Sequence, residues 1–344
     1  MFDVVTIGTA TRDVFVESDL FKIVRDPAHL ERLGFPTGEA QCFALGGKIE
    51  IGRPTLSFGG GATNAAVTFR RQGFRTAAVA KIGDDENGSA VFGNMKAHGI
   101  TSFMPKDKKE GSAYSVILLS PSGERTILSY RGASEDLKIN EVPVSKIKAK
   151  AAYIVPGRID FKVIYGLASA LKKKGSFIAM NPSSHYLEMG AKRLAPLLKI
   201  TDVITLNREE AAALTGEKFE HEARIFKAFE SLMPGIAVMT DGPNGVLVSN
   251  GRNIFSAGVY KEKRIMNRTG AGDAFGSGFV AGLLKHGELS RTASDDAILH
   301  AMKLASANAT SVVEHMGAQK GILTAREFTS QPRWKALKIN VKKI

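Results

Sequence analysis

Thr269-Gly270-Ala271-Gly272-Asp273-Ala274-Phe275 runs straight into Gly276-Ser277-Gly278-Phe279-Val280-Ala281-Gly282-Leu283-Leu284, and this stretch decides how the rest of the chain is read. Small residues just before a helix let backbone N–H groups approach an anion closely, and the helix start adds its partial positive charge. Such a cradle suits a phosphoryl group in transfer, whose negative charge spreads over its equatorial oxygens. A carboxylate there would be repelled by phosphate unless it had a task. Asp273 has one available: taking the proton from an attacking hydroxyl. The plain alternative is a tight loop whose Asp caps the helix.

Outward from this loop, short β-branched runs alternate with amphipathic stretches. Val4–Ile7, Thr76–Lys81, Ala152–Val155, Phe177–Met180, Val203–Leu206 and Ile236–Thr240 read as strands. Ala62–Gln72, Asn87–His98, Phe161–Lys174, Ala191–Leu198 and Glu209–Thr215 read as helices, and three of them stop at Gly73, Gly99 and Gly175. Strand and helix in alternation imply an α/β core, a parallel sheet covered on both faces. Glycine at the stops fits the left-handed cap that ends such helices. Two segments break the rhythm. The stretch from Phe15 to Phe58 mixes charge with Pro and Gly, and Tyr114–Leu119 with Thr126–Tyr130 alternate around Pro121-Ser122-Gly123 as a β-hairpin would. The expected division is a core of residues 1–14, 59–110 and 132–330, a β lid of residues 15–58 and 111–131, and a basic, loosely held tail over 331–344.

At 344 residues the chain is long for one core, so a large domain with a small one is expected. The 44% hydrophobic and 24% charged residues are ordinary for a folded soluble protein. A single cysteine, Cys42, excludes a disulfide within one chain and fits a reducing, cytoplasmic setting. The opening residues read as a strand rather than a signal peptide, and no apolar run reaches the ~20 residues that span a bilayer, so no membrane is expected. The net charge of +13 is spread along the chain, with runs at Lys146–Lys150, Lys172–Lys174 and Lys335–Lys343. None is interleaved with aromatics, so no nucleic acid is expected either.

With these motifs in place, the chain resembles the ribokinase-like (PfkB-type) carbohydrate and nucleoside kinases, whose C-terminal signature is Asp-Thr-x-Gly-Ala-Gly-Asp. The family's N-terminal signature, Gly-Gly with Asn three residues on, is matched by Gly59-Gly60-Gly61-Ala62-Thr63-Asn64, and the two motifs stand in the family's order. The resemblance implies a ribokinase-like three-layer sandwich with a small β lid. It also implies an ATP- and Mg2+-dependent kinase that phosphorylates a small sugar of the ribose or fructose kind, with possible dimerisation through the lid. A nucleoside or a sugar phosphate as acceptor, and a non-catalytic sugar sensor on the same frame, stay open.

By that resemblance Asp273 is the base and Gly270, Ala271 and Gly272 form the anion hole. Asp13, Gly60 and Asn64 hold the acceptor's hydroxyls; a carboxylate accepts paired hydroxyls well, and an amide both donates and accepts. Asn207 and Glu210 of Asn207-Arg208-Glu209-Glu210 match an element linked to phosphate and magnesium positioning, although the spacing is equally that of a helix-capping box. Thr240, Gly242 and Gly245 match a nucleotide loop, with a simple turn as the alternative. Ser306 and Asn308, with Gly317-Ala318-Gln319 after them, fall where the family borders adenine. Lys81 to Gly88 reads as structural, with Gly83 and Asp84 shaping the turn and capping the next helix. Arg131 and Arg158 would suit a phosphorylated acceptor, and Phe43 and Phe58 a nucleoside's base. The sequence departs from the family at Asn267-Arg268, where a leading Asp is lost and a cation gained, which puts potassium activation in doubt.

Overall fold

The strand Phe2–Gly8 is buried because it is paired on both sides, parallel with Ala149–Val155 and parallel with Thr76–Val79. The structure, a computed structural model, describes residues 1–35, 38–120 and 125–344. The turn expected at Pro121-Ser122-Gly123 lies outside the described residues. The ten strands of the main sheet run in the order Ile339–Lys343, Asn253–Ala257, Val246–Ser249, Ile236–Thr240, Val203–Asn207, Phe177–Met180, Ala149–Val155, Phe2–Gly8, Thr76–Val79, Thr101–Phe103. From Ile236–Thr240 to Thr101–Phe103 all neighbours run parallel. Beyond Ile236–Thr240 the pairing turns antiparallel.

Side-chain alternation divides each buried strand between two cores. Val5, Ile7, Ala152, Ile154, Ile204 and Leu206 pack under the helices Phe161–Lys173, Gly190–Leu198, Arg208–Thr215 and Glu222–Leu232. Val4, Ala151, Tyr153 and Val203 face the helices Gly61–Arg71, Ala271–His286 and Asp295–Val313. The result is the expected three-layer α/β sandwich. On the second face the helices Ala271–His286 and Asp295–Val313 nearly touch. A Cβ on Gly282 would stand 2.4 Å from Ala301 Cα, which explains the glycine-rich run after the loop.

A second sheet of four strands, in the order Arg125–Tyr130, Tyr114–Leu119, Thr11–Glu17, Thr55–Gly59, stands beside the core. Both irregular segments of the sequence contribute to it. One face buries Val14, Val16 and Phe21; the other buries Phe15, Ile117 and Leu119 against Met316 of the core. Asp13, assigned above to the core, sits on a strand of this sheet. At the neighbouring segment the buried Lys81 ammonium reaches Asp107 at 3.0 Å, Glu141 at 2.9 Å and Asp136 at 3.6 Å. The neighbouring helix cap is Asp85, not Asp84. Asp85 accepts from the N–H groups of Gly88 and Ser112, while Asp84 pairs with Lys106.

The expectation of a loose tail is corrected. Trp334 is buried, Tyr260 donates a hydrogen bond to its carbonyl, and Ile339–Lys343 pairs with Asn253–Ala257 as the sheet's last strand. Its lysines point outward from an edge, where charge discourages further strand addition. Among the described residues, no helix is long and apolar enough to cross a membrane.

Candidate active site

Chain direction changes sides at the strand Phe2–Gly8. The chain first builds outward to Thr76–Val79 and Thr101–Phe103, then returns to Ala149–Val155 and builds the other way. In open α/β sheets the crevice beyond the strands' carboxyl ends at such a point is where ligands bind. Here it is filled by the three glycines of the N-terminal motif. A Cβ on Gly59 would meet Asp13 Oδ2 at 2.1 Å, one on Gly60 would meet Thr9 O at 2.6 Å, and one on Gly61 would meet Val155 Cγ1 at 2.1 Å. Gly60 also has φ +91°, which side chains rarely adopt. Only glycine lets this backbone thread between the two sheets.

Gly60 caps the helix Gly61–Arg71, which carries Asn64 inward. Asn64 Nδ2 donates to Asp273 Oδ2 at 2.9 Å, so the two motifs meet. Asp273 is in the first turn of the helix Ala271–His286, half-buried; burial pushes its carboxyl up, and the Asn64 amide opposes that rise. Gly270 precedes the helix with φ +81°, packed on Ala318. The first N–H groups of this helix have no partner within it. A Cβ on Gly272 would meet nothing within 4 Å, so that side of the loop is open. Thr269 Oγ1 is buried with no partner among the described residues, a polar atom available at the mouth of the cradle. These features fit an anionic group seated on the loop.

Asp13, 5% exposed, adjoins Gly59 and sits on the lid strand between Ser57 and Ser115, its partners in register on either side. Burial pushes its carboxyl up to about 6, opposed by the Ser115 hydroxyl and then by the Arg12 charge. Asp13, Gly60, Asn64 and Asp273 thus form one continuous wall. The phosphate-side candidates gather along the same edge. Asn207 and Thr240 end adjacent strands as register partners, and Thr205, two residues before Asn207, lies under Gly276.

Several candidates have other employment. Asn207 and Glu210 do form the capping box: Asn207 Oδ1 accepts from Glu210 N–H at 2.7 Å, and Glu210 Oε2 accepts from Asn207 N–H at 2.8 Å. Burial holds the Glu210 carboxyl up, which the Asn207 N–H opposes. Gly242 and Gly245 frame a 3-10 turn, and Gly245 is pressed against Ala257 O. Asn308 is corrected: it is fully buried, donating to Ala274 O at 2.9 Å and accepting from Leu323 N–H at 2.9 Å. It ties two helices and a loop together and offers nothing to a base. Ser306, also buried, adjoins the Ala305–Gly278 contact.

The turn after that helix reaches both glycine motifs, with Ala318 packed on Gly270 and Gln319 bonded to Asn64. Gln319 Nε2 donates to Asn64 Oδ1 at 3.0 Å, and Asn94 Nδ2 donates to Gln319 Oε1 at 2.8 Å. Gly317 touches Ser57 of the lid. Nothing in the sequence marks Asn94, which sits mid-helix. Arg131 and Arg158 converge on Glu135 Oε1 at 3.3 and 3.9 Å. Gly157, before Arg158, packs on Thr9, which also adjoins Gly60. Phe58 lies under the Arg12 guanidinium at 4.2 Å, and Phe43 packs edge-on against Phe21. Among the described residues, no group of three or more His, Cys, Asp or Glu side chains is arranged to hold a metal.

Residues 38–325 match the profile of the pfkB family carbohydrate kinases. A ribokinase from Haemophilus influenzae is 28% identical over 281 residues, covering 79% of this chain and 86% of its own. Among solved structures, an Arabidopsis thaliana ribokinase complexed with ribose and ATP superposes with a TM-score of 0.74 at 18% identity, over 97% of this chain and 99% of that one. An adenosine kinase from Sinorhizobium meliloti does so with a TM-score of 0.74 at 22% identity, over 94% and 97%.

Proposed function

This chain belongs to the pfkB family of carbohydrate kinases, and we propose on that footing that it moves the γ-phosphoryl group of ATP onto a hydroxyl of a small sugar. The observation that carries the reading is the 2.9 Å bond from Asn64 to Asp273, which joins the acceptor wall to the phosphate cradle. The acceptor's hydroxyls are held by Asp13, the Gly60 backbone and the free hydrogen of the Asn64 amide. Asp273 takes the proton as the hydroxyl attacks in line. Backbone N–H groups of Gly270, Ala271 and Gly272 receive the charge that develops on the transferring group. Asn207, Thr240, Gly242 and Gly245 line the nucleotide's path. Magnesium, when bound, neutralises phosphate charge; Glu210 would reach it through water, as suits an ion that keeps its hydration shell. Closure of the four-stranded sheet over the acceptor excludes water and limits hydrolysis. The single half-buried cysteine accords with a cytoplasmic setting.

A sugar fits better than a nucleoside because the residues around Asp13 are serines, while Phe43 and Phe58 are engaged within the lid. A sugar phosphate is the second reading, favoured by Arg131 and Arg158 meeting beside the acceptor glycines. A coupled assay of ADP release with magnesium and ATP, run against ribose, fructose, other hexoses, nucleosides and sugar phosphates, separates these. Release stimulated by a free sugar supports the first reading; release stimulated by none of the panel would remove it.

The titration of Asp13 sets an expected pH dependence. Its charged form accepts sugar hydroxyls, so acceptor KM is expected to climb as pH falls below about 6. Folding raises this pKa, so the stabilisation is complete below the unfolded value of about 4 and is lost as pH rises through about 6. Asp13→Asn should therefore melt above the wild type at pH 8, with the gap closing towards pH 4, in a thermal scan at both pH values. An unchanged gap would contradict the assignment.

Asn267 spends its amide on protein partners, accepting from Thr269 N–H of its own loop and directing Nδ2 at the sulfur of Met316, with the Arg268 cation next to it. Exchanging potassium for sodium or choline at constant ionic strength is expected to leave turnover unchanged. A strong dependence on potassium would overturn that expectation.

A further inference from the structure

We propose that Asn94 and Gln319 are positioning residues that, with Asn64, form a one-way relay of amides holding Asp273 in the geometry and protonation state of a base. This rests on the reading of Asp273 as the base. Three elements distant in sequence contribute one amide each. Asn94 comes from the helix Glu86–Ala97, Gln319 from the turn after the helix Asp295–Val313, and Asn64 from the helix Gly61–Arg71. Each amide donates with its nitrogen to the next group, and Gln319 and Asn64 accept with their oxygens from the one before: Asn94 to Gln319 at 2.8 Å, Gln319 to Asn64 at 3.0 Å, Asn64 to Asp273 at 2.9 Å. Gln319 and Asn64 are both buried, so neither amide can turn to water for a substitute partner.

The direction of the relay is what matters. A primary amide facing a carboxylate can present either N–H or C=O, and the two differ in sign. With Gln319 donating to Asn64 Oδ1, only Nδ2 is left for Asp273. Reversal at any link would set the Asn64 oxygen against the carboxylate oxygen. Bonds aligned in one direction also polarise each other, so the last one is strengthened by those behind it. The Gln319 backbone is fixed by its neighbours, since Gly317 abuts Ser57 and Ala318 abuts Gly270. Asp273 meets few competing charges. From the strand beneath, Tyr153 faces it, its phenol held protonated by burial and then by the Asp273 charge. The helices Gly61–Arg71 and Asp295–Val313 present amides, Asn64 and Asn308, and Lys320 beside Gln319 is exposed, as is Arg268 on the loop itself. The relay is therefore the main influence opposing burial at this carboxylate.

The test reads Asp273 without any substrate. In full-length protein labelled at aspartate carboxyl carbons, the Asp273 signal is assigned by its loss in Asp273→Asn and titrated by NMR. Gln319→Met removes both of that residue's bonds at similar volume; Asn94→Leu breaks the relay at its half-buried outer end and adds no charge. The Asp273 midpoint is expected to rise in both, and more in Gln319→Met, where the released Asn64 amide is free to turn its oxygen toward the carboxylate; losing that hydrogen bond to a charged group is on the scale of roughly one pH unit. The acid limb of the turnover profile should move up with it. If Gln319→Met does not fold, Asn94→Leu carries the test. An unmoved midpoint in folded Asn94→Leu overturns the relay. That result would leave Asp273 as the base untouched, because the base is tested separately by the turnover of Asp273→Asn.

Discussion

Asp273→Asn should lower turnover by about three orders of magnitude while the protein keeps its fold and its affinity for ATP. The substitution is nearly isosteric, and the new amide oxygen can still accept from Asn64. It removes a charge that burial disfavours, so a loss of stability is not expected. On the proposed reading, what it removes is the proton acceptor. Turnover in the coupled assay, alongside a melting curve and ATP titration of the same preparation, checks the result. Near-normal turnover would show that another group takes the proton.

Gly270→Ala is expected to damage both the fold and the chemistry of the loop. The new Cβ would stand 2.4 Å from Ala318 Cβ and 2.9 Å from Ala318 Cα, on a backbone with φ +81°. The left-handed conformation costs roughly 1–2 kcal/mol for a residue with a Cβ, and overpacking adds about 1–3 kcal/mol. The loop must shift, and its N–H groups shift with it, so turnover should fall by about two to three orders of magnitude together with a lower melting temperature. Gly272→Ala supplies the contrast. Its Cβ would meet nothing within 4 Å, so the fold should be unaffected. That side is where an anion would sit, so the cost should appear as weaker ATP binding and slower turnover. Equal melting losses in the two variants would contradict this account of the loop.

The alternation of apolar strands and amphipathic helices was legible because each buried strand splits its side chains between two covered faces, as Val4 and Val5 or Tyr153 and Ile154 do. The strand Thr11–Glu17 runs from the expected core into the irregular stretch and pairs with Tyr114–Leu119 across distant sequence, and pairing of this kind leaves no local trace. The tail misled for a different reason. Lysine on an exposed edge strand has the same composition as a solvated coil, and only the buried Trp334 hinted otherwise.

At the site, the two glycine motifs stand out as strings of small residues at helix starts, and the structure brings Asn64 of one against Asp273 of the other. Asn308 could not be judged from sequence, since a buried amide bridging Ala274 and Leu323 looks the same in a string as one facing a ligand. Asn94 carries no motif, and Gln319 stands out only as part of Gly317-Ala318-Gln319. Their roles come from three separate elements meeting at Asn64.

The account rests on phosphoryl transfer to an acceptor rather than to water, and phosphorus NMR of the reaction reads that directly. The chain is incubated with magnesium, ATP and each acceptor of the panel. A new phosphomonoester resonance growing one-for-one with ADP, and absent both without the acceptor and with Asp273→Asn, is the predicted result. ADP accumulating with inorganic phosphate alone, at the same rate with and without every acceptor, would contradict the account.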